Sequence, residues 1–346
     1  MDSSSILSVR NLKTHFKLDE GMLKAVDGVD FDVERRKTLG IIGESGCGKS
    51  VTAFSIMRTV LPPGRVVAGS MQFQLSNNEI VDLAKQDPFG RRMRSIRGKE
   101  IAMIFQEPIT SLSPVHTIGD QLMEMILLHR TQNKKEAKEI AVGMLAKVGL
   151  PNPAQRFDEY PHMLSGGMCQ RVMIAQALSC NPSLLIADEP TTALDVTVQA
   201  QILDLMAGLQ QEFGMSVMYI THDLGVIAEI SNSVAVMYLG RIVEMASTRN
   251  IFKNPLHPYT QRLLKAIPSL TSRRSERLEN IKGNVPVPLD PPEECGFYSR
   301  CTLARAGLCN AGIPPLVEVE PGHQVRCFLV QGASQPQAAM EGSQHG

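Results

Sequence analysis

A chain of 346 residues is too long for one ordinary hydrophobic core, so its length predicts a main domain with a smaller one appended. Its 35 basic and 35 acidic residues cancel, which gives no general electrostatic attraction to nucleic acid or anionic lipid. No apolar run approaches the roughly 18 residues needed to span a bilayer, and the polar N-terminus does not resemble a signal peptide. We therefore expect a cytoplasmic protein whose 7 cysteines are thiols or metal ligands and not disulfides.

The first predicted elements are strands. Between residues 6 and 37 apolar and polar residues alternate, a pattern typical of antiparallel strands. Residues 38 to 42 form a short apolar run that predicts a buried strand. Phe16 lies in the predicted strands that precede this run. An aromatic ring there either packs in the core or stacks on a bound base, and both interpretations stay open.

Residues 43 to 50 read GESGCGKS and match the phosphate-loop pattern G-x-x-x-x-G-K-[ST]. The following residues predict a helix, whose first N–H groups attract an anion. In such a loop Lys49 contacts the β- and γ-phosphates of a nucleoside triphosphate, and the Ser50 hydroxyl binds Mg²⁺. A glycine loop without a ligand is the alternative interpretation. The predicted nucleotide-binding residues are Gly43, Ser45, Gly46, Cys47, Gly48, Lys49, Ser50, Val51 and Phe16.

The next stretch is mostly polar. Residues 58 to 100 carry several arginines, so we expect a surface excursion with strand-like fragments, Ser70 to Leu75 among them. An apolar run over residues 101 to 105 then predicts a strand that ends at Gln106, because Pro108 starts a loop. Open α/β sheets bind ligands at the carboxyl ends of their strands, although an isolated Gln106 would be interpreted as a solvated loop residue.

A second glycine-containing turn follows a predicted helical region over residues 118 to 149. The sequence LSGGM at residues 164 to 168 leads into an apolar helix, with Ser165 as a natural N-cap. The first-turn N–H groups of this helix form a second anion site. Since the chain has two such turns but one lysine-bearing loop, we predict that the second turn serves a nucleotide held by another subunit.

Acidic side chains end the next predicted strand. Its apolar residues run into Asp188, which can bind Mg²⁺ through water, and Glu189, which can polarise an attacking water. The following strand ends in His222, which at the same sheet edge is a candidate sensor of the γ-phosphate. Two apolar runs flanking Leu239-Gly240 predict a hairpin that closes the domain.

Together these motifs resemble the ATP-binding-cassette family over residues 6 to about 265. The resemblance implies an α/β P-loop NTPase with a RecA-like core, an antiparallel β subdomain and a helical signature subdomain at about 107 to 180. It implies a head-to-tail dimer that holds two ATP molecules, each between the phosphate loop of one subunit and the signature turn of the other. Met168 replaces the commoner glutamine of the signature, and we expect little loss from that change.

The resemblance also implies individual roles. Residues 193 to 195 correspond to the D-loop of the family. The implied catalytic residues are Glu189, His222 and Gln106; the magnesium ligands are Ser50, Gln106 and Asp188; the signature residues that contact the partner's ATP are Ser165, Gly166 and Gly167.

Longer strings resemble the ATPases of oligopeptide and dipeptide permeases, namely FQEP at 105 to 108, SLSP at 111 to 114, TTALDVT at 191 to 197 and HPYT at 257 to 260. This implies an ATPase that is bound to the cytoplasmic face of the inner membrane and powers the import of peptides. The implied partners are a second ATPase subunit, two transmembrane permease subunits and an extracytoplasmic substrate-binding protein, with no nucleic acid. The segment from about 107 to 180 would contact the coupling helices of the permeases.

The remainder of the chain differs in composition. We predict a cassette domain over residues 1 to 265, a charged and then Pro-rich connector over 266 to 294, a Cys-rich domain over 295 to 330 and a disordered tail over 331 to 346. Four cysteines, at 295, 301, 309 and 327, can bind zinc or an iron–sulfur cluster or can be incidental thiols. The resemblance to the peptide-permease tail implies a four-iron, four-sulfur cluster on Cys295, Cys301, Cys309 and Cys327.

Other functions are also compatible with these motifs. An importer of nickel or another metal chelate shares the cassette strings but typically has a shorter tail. A soluble cassette ATPase that acts on nucleic acid or ribosomes usually carries two cassettes or a long coiled coil, and this chain has one phosphate loop and no such heptad run.

Overall fold

The computed structural model of the chain describes residues 4–192, 194–266 and 285–334. Its strands are β1 (Ser5–Leu18), β2 (Gly21–Glu34), β3 (Thr38–Ile42), β4 (Gly64–Gln74), β5 (Ile80–Asp82), β6 (Ile101–Ile104), β7 (Leu184–Asp188), β8 (Ser216–Ile220), β9 (Ser233–Tyr238), β10 (Arg241–Ser247), β11 (Val317–Glu320) and β12 (His323–Val325). Its α-helices are α1 (Lys49–Ile56), α2 (Arg91–Ile96), α3 (Pro108–Ser111), α4 (Ile118–His129), α5 (Lys134–Lys147), α6 (Pro153–Phe157), α7 (Gly166–Leu178), α8 (Val196–Phe213), α9 (Leu224–Ile230), α10 (Thr248–Lys253), α11 (Pro258–Lys265) and α12 (Phe328–Ser334).

An eight-stranded sheet with the order β11-β12-β10-β9-β3-β8-β7-β6 forms the centre of the fold. Strands β9, β3, β8, β7 and β6 pair in parallel. Successive residues of β7 contribute to different cores, Leu185 to the one beneath the helices and Ile186 to the one beneath the second sheet. Because both faces of a parallel sheet are buried, these strands are continuous apolar runs, which is why the sequence predicted them.

A second, antiparallel sheet with the order β2-β1-β4-β5 covers one face of the first. The prediction of antiparallel strands near the N-terminus is confirmed by the β1–β2 pair. The strand-like fragment predicted at Ser70 to Leu75 is confirmed as part of β4, but this part of the chain is not a surface excursion, because β4 pairs along β1 with Phe73 opposite Leu7. In the second half of β4 the buried Met71 and Phe73 alternate with the half-buried Ser70, Gln72 and Gln74, so this strand lacks a continuous apolar run.

Helices α4 to α7 pack together as a unit above the other face of the sheet. Polar side chains at their N-termini fix where these helices begin. Thr117 and Asp120 form a reciprocal capping box on α4, Asn133 accepts two N–H bonds at the start of α5, and Ser165 caps α7. The predicted N-cap role of Ser165 is thereby confirmed. No helix in the described ranges combines the length and apolarity required to cross a bilayer.

The C-terminal segment continues the central sheet. The predicted hairpin around Leu239-Gly240 is present as β9 and β10, but it does not end the sheet, because β12 pairs with β10 and β11 pairs with β12. The buried carboxylate of Glu244 on β10 lies 2.8 Å from His323 Nε2 on β12. A separate Cys-rich extension is therefore not supported by this arrangement.

One predicted boundary moves, and part of the predicted connector packs against the fold. Helix α12 extends to Ser334, so the first residues of the segment predicted to be disordered are helical, with Gln331 N–H donating to the Cys327 carbonyl at 3.1 Å. The rest of that predicted tail and most of the predicted connector lie outside the described residues. The described end of the connector is held against β2, where Lys24 N–H donates to the Pro288 carbonyl at 3.0 Å.

The stability of the fold is expected to depend on pH through His257. This residue is fully buried at the start of α11, where its Nδ1 accepts the Tyr259 N–H at 3.0 Å. Burial lowers the pKa of His257 from its ordinary 6.5 to about 4, against the opposing effect of Glu244. The unfolded chain therefore binds a proton below pH 6.5 that the folded chain binds only near pH 4. This group's contribution to the free energy of unfolding is complete above pH 6.5 and declines, by about 3 kcal/mol, as the pH falls to 4.

Urea unfolding of the unchanged protein and of His257→Asn at several pH values between 7 and 4 measures this dependence. The variant keeps an acceptor near the position of Nδ1 but loses the titrating ring. We expect its stability to fall less steeply with acid than that of the unchanged protein. Parallel pH profiles would contradict the role assigned to His257.

Candidate active site

The phosphate loop joins β3 to α1, as predicted, and its glycines are required by their surroundings. Gly48 is the N-cap of α1 with φ of 103°, and a Cβ atom there would collide with the backbone oxygen of Ala25. A Cβ atom at Gly43 would collide with the backbone oxygen of Met237. Gly46 has φ of 78°, in the left-handed region that favours glycine. The loop can therefore place its backbone N–H groups close to an anion.

Two side chains of the loop lie where phosphate chemistry needs them. Lys49 is buried, and its Nζ donates to the carbonyl oxygens of Gly43 and Glu44 at 2.8 and 3.1 Å. The Ser50 hydroxyl lies beside Asp188 at the end of β7, where it lowers the pKa of that carboxyl group. Cys47 is buried within the loop, and burial raises the pKa of its thiol, so at neutral pH it is a small uncharged side chain.

Asp188 fits a cation ligand. It is 4% exposed, and its Oδ1 has no hydrogen-bond partner among the described residues. Burial raises the pKa of its carboxyl group, whereas the hydrogen bond from Ser50 and the charge of Lys49 lower it. A buried carboxylate oxygen without a partner is costly unless an ion or water satisfies it. Together with the Ser50 hydroxyl, it supplies the oxygen donors that Mg²⁺ prefers.

Glu189 is the centre of a polar cluster. Gln106 Nε2 donates to Glu189 Oε2 at 3.0 Å, Thr192 Oγ1 donates to the same oxygen at 3.0 Å, and His222 Nδ1 lies 3.1 Å from Oε1. Glu189 has φ of 47°, a left-handed conformation that is unfavourable for glutamate and that is found at functional sites. The three predicted catalytic residues, Glu189, His222 and Gln106, are therefore brought together at the carboxyl edge of the sheet.

A cavity of about 510 Å³ opens in front of this cluster, a volume within the range of small-molecule sites. Most of the predicted residues line it: Phe16, Ser45, Gly46, Gly48, Lys49, Ser50, Val51, Gln106 and Glu189. Sequence reasoning missed Leu23 and Ala25 on β2 and the segment Val285–Pro288, which also line it. The Pro-rich composition of that segment had predicted a connector, and no local pattern links it to the phosphate loop.

The signature turn does not line this cavity. Ser165 and Gly166 are exposed at the first turn of α7, and a Cβ atom added at Gly166 would meet no atom within 4 Å. The signature residues Ser165, Gly166 and Gly167 are thus separated from the phosphate loop of their own chain. Ala193 of the predicted D-loop lies outside the described residues, whereas Asp195 caps α8 by accepting the Val198 N–H at 2.9 Å.

Comparison with known proteins identifies the family. The family model "ABC transporter" matches residues 26–192, and "Oligopeptide/dipeptide transporter, C-terminal region" matches residues 243–309. The oligopeptide transport ATP-binding protein AppD of Bacillus subtilis is 48% identical, with 96% of this chain and 99% of that protein covered. The chain belongs to the ATP-binding-cassette transporter family. The dipeptide transport ATP-binding protein DppD of Escherichia coli is 44% identical over 96% of this chain and 99% of that protein.

The fold agrees with this assignment. The ATP-binding cassette MJ0796, in a dimeric structure bound to ADP and phosphate, matches with a TM-score of 0.61 and 25% identity, covering 70% of this chain and 99% of that one. The predicted cassette ATPase fold is confirmed, and so is ATP hydrolysis as the activity of the chain. The cavity described above is accordingly the candidate ATP site of the cassette.

The predicted iron–sulfur cluster is wrong. The four cysteines at 295, 301, 309 and 327 line one small cavity, but its volume is about 10 Å³, room for about one water. The part of the chain that the structure describes holds no group of three or more His, Cys, Asp or Glu side chains placed to hold a metal ion. Burial also raises the pKa of Cys295, to about 11, and that of Cys301 and Cys327, so these thiols are protonated at neutral pH. All seven cysteines are free in the structure.

Proposed function

We propose that this cassette hydrolyses ATP to power the import of di- or oligopeptides through a membrane permease. The observation that carries the proposal is the match to peptide and dipeptide transport proteins over nearly the whole chain, including the C-terminal region. That C-terminal match favours a peptide over a metal chelate as the transported solute. The extent of these matches also argues against a soluble cassette that acts on ribosomes or DNA.

The residues described above would have separate roles in ATP hydrolysis. Glu189, held by Gln106, Thr192 and His222, would orient water for in-line attack on the γ-phosphate. Lys49, released from its carbonyl partners, would donate to the β- and γ-phosphates. Ser50 and Asp188 would hold Mg²⁺, which neutralises charge on the phosphates when bound. Gln106 as a further magnesium ligand stays a prediction.

We also propose that the ATP site is completed by a second cassette subunit. The signature turn over residues 165 to 167, of which Ser165 and Gly166 are exposed, places the start of α7 away from the candidate ATP cavity of its own chain. Backbone donors in such a position suit the phosphates of a nucleotide bound by another subunit. Whether that subunit is identical or merely related, the geometry needed is the same.

A methionine-lined groove supports docking of a permease helix. It has a volume of about 200 Å³ beside β6, α4 and α7 and is lined by Met57, Gly98, Ala102, Met103, Phe105, Ser111, Met125, Met173, Gln176 and Ala177. Methionine side chains adapt to an incoming apolar surface, and a groove of this kind suits an amphipathic helix. Phe105 on its rim is 44% exposed and directly precedes Gln106 of the catalytic cluster. A helix that docks here would therefore contact Phe105 and act on the neighbouring Gln106 at the ATP site.

Replacing Phe105 by aspartate tests this groove. We expect Phe105→Asp to prevent stable assembly with the permease, because a charge would be buried in an apolar contact, while ATP still binds to the isolated chain. Leu128→Asp is the matched control, since Leu128 is 67% exposed and lies outside the groove. Pull-down of the permease subunits by each tagged variant is the measurement. Equal assembly of the two variants would place the docking surface elsewhere.

For the chain as a whole we propose a cassette over residues 1 to 265, with a helical part at about 107 to 180, followed by the C-terminal region. The site of action would be the cytoplasmic face of the inner membrane. Mass spectrometry of proteins that co-purify with the tagged chain from detergent-solubilised native membranes tests these assignments together. Two multi-span permeases, a second cassette subunit and a substrate-binding protein are expected; a chain recovered alone or with ribosomes would contradict the importer.

A further inference from the structure

The C-terminal segment reaches directly into the phosphate loop. Arg300, at the end of the 3₁₀ turn Tyr298–Arg300, donates from Nη1 to Glu44 Oε2 at 2.8 Å and from Nη2 to Glu44 Oε1 at 3.0 Å. Arg300 is 9% exposed, so this bidentate pair is largely shielded from water. Charge-assisted pairs with two parallel bonds are among the stronger and more directional contacts in proteins.

Glu44 is the second residue of the phosphate loop, and its backbone is also held. Its N–H donates to Tyr259 Oη at 3.0 Å, and its carbonyl oxygen accepts from Lys49 Nζ at 3.1 Å. Gly43 directly before Glu44 and Gly46 two residues after it both have positive φ, and glycine restricts its own backbone less than any other residue. A contact that anchors the Glu44 side chain therefore restricts the backbone of the phosphate loop in advance. ATP binding then costs less conformational entropy.

Several further contacts hold Arg300 in place. Its guanidinium lies 5.7 Å from the centre of the Tyr238 ring, and Nη1 lies 3.3 Å from the Tyr238 hydroxyl. Tyr238 packs against Tyr259 and Phe297, with ring centres 4.7 and 5.3 Å away. The Arg300 carbonyl accepts from Arg262 on α11 at 3.3 Å. The aromatic cluster thus links the C-terminal segment, α11 and β9 to one residue of the phosphate loop.

We propose that Arg300 is a positioning residue for the ATP site, which fixes the phosphate loop through Glu44 and makes the C-terminal segment necessary for full ATP affinity. This inference rests on ATP hydrolysis by the cassette and not on the identity of the transported solute. Glu44 does not need to contact ATP, because its side chain is directed to Arg300. The C-terminal region would thereby differ from a passive appendage of the cassette.

Four variants of the full chain test the proposal: Arg300→Gln, Arg300→Lys, Glu44→Gln and the double variant Arg300→Gln with Glu44→Gln. We expect each glutamine variant to raise the KM for ATP about tenfold while kcat changes less than about twofold, since a looser loop weakens binding more than chemistry. The double variant should be no worse than either single one, because both remove the same pair. Arg300→Lys, which keeps charge without the fork, should be intermediate. Arg305→Gln is the control, because Arg305 is exposed in the same segment.

A purely structural role for Arg300 would give a different result. Arg300→Gln would then lower the melting temperature and the amount of active protein but leave KM unchanged, and that outcome would overturn the proposal. The proposal would also be overturned if the increase in KM of the double variant equalled the product of the increases in the two single variants. Should Arg300→Gln fail to fold, Glu44→Gln decides alone, since an unchanged KM there contradicts any role for the pair. Because these assays follow ATP with the chain itself, they are independent of whether the importer carries peptides.

Discussion

Glu189→Gln is expected to reduce the rate of ATP hydrolysis by about 10²- to 10⁴-fold while leaving ATP binding intact. The amide can keep the contacts with Thr192 and His222 that hold the side chain, but it cannot accept a proton from the attacking water. Phosphate release from the purified chain at saturating ATP measures the rate, and calorimetric titration with ATP measures the affinity. Because hydrolysis is blocked after binding, the ATP-bound form should accumulate.

Glu139→Gln is the matched control for that experiment. Glu139 is exposed on α5, away from the residues that line the ATP cavity, so its loss should leave the rate unchanged. An unchanged rate in Glu189→Gln would remove Glu189 from the reaction. A general loss of folded protein would be recognised by loss of ATP binding as well.

Lys49→Ala is expected to weaken ATP binding by about 10- to 100-fold, as the loss of a charge-assisted contact to the phosphates predicts. Hydrolysis should fall further, because the ammonium group also stabilises charge that develops on the transferred phosphoryl group. The same ammonium group also bonds two loop carbonyl oxygens, so the loop of the variant is expected to be less well ordered. Binding is measured by titration and turnover by phosphate release.

Lys37→Ala provides the comparison. Lys37 lies just before β3 and is half exposed, with its charge paired to Glu34. Its removal should change neither binding nor turnover by more than about twofold, as is usual for surface charges. If Lys49→Ala bound ATP as tightly as Lys37→Ala, the assignment of the cavity as the ATP site would be wrong.

Much of the site could be predicted from local sequence because its residues follow strand ends. Gln106 and Asp188 come directly after apolar runs and His222 comes two residues after one, and parallel strands bring their carboxyl ends to one edge. The glycines of the phosphate loop could be predicted because backbone crowding and positive φ exclude other residues there.

Other features depend on contacts between distant parts of the chain. Arg300 and Glu44 are separated by 256 residues, and neither stands in a pattern that suggests the other. The Val285–Pro288 wall of the cavity depends on backbone pairing with β2, which the Pro-rich composition concealed. The spacing of the C-terminal cysteines predicted that they lie close together. It could not predict how small the space between them is.

ATP hydrolysis at this cassette is expected to drive peptide import. The most direct test is uptake of labelled di- and oligopeptides into proteoliposomes that contain the purified permease complex, its binding protein and ATP on the side of the cassette. We predict uptake that requires ATP and that is abolished by Glu189→Gln while the complex remains assembled. Uptake that persists in the variant, or an active ATPase that imports no peptide but does import a metal chelate, would contradict the account.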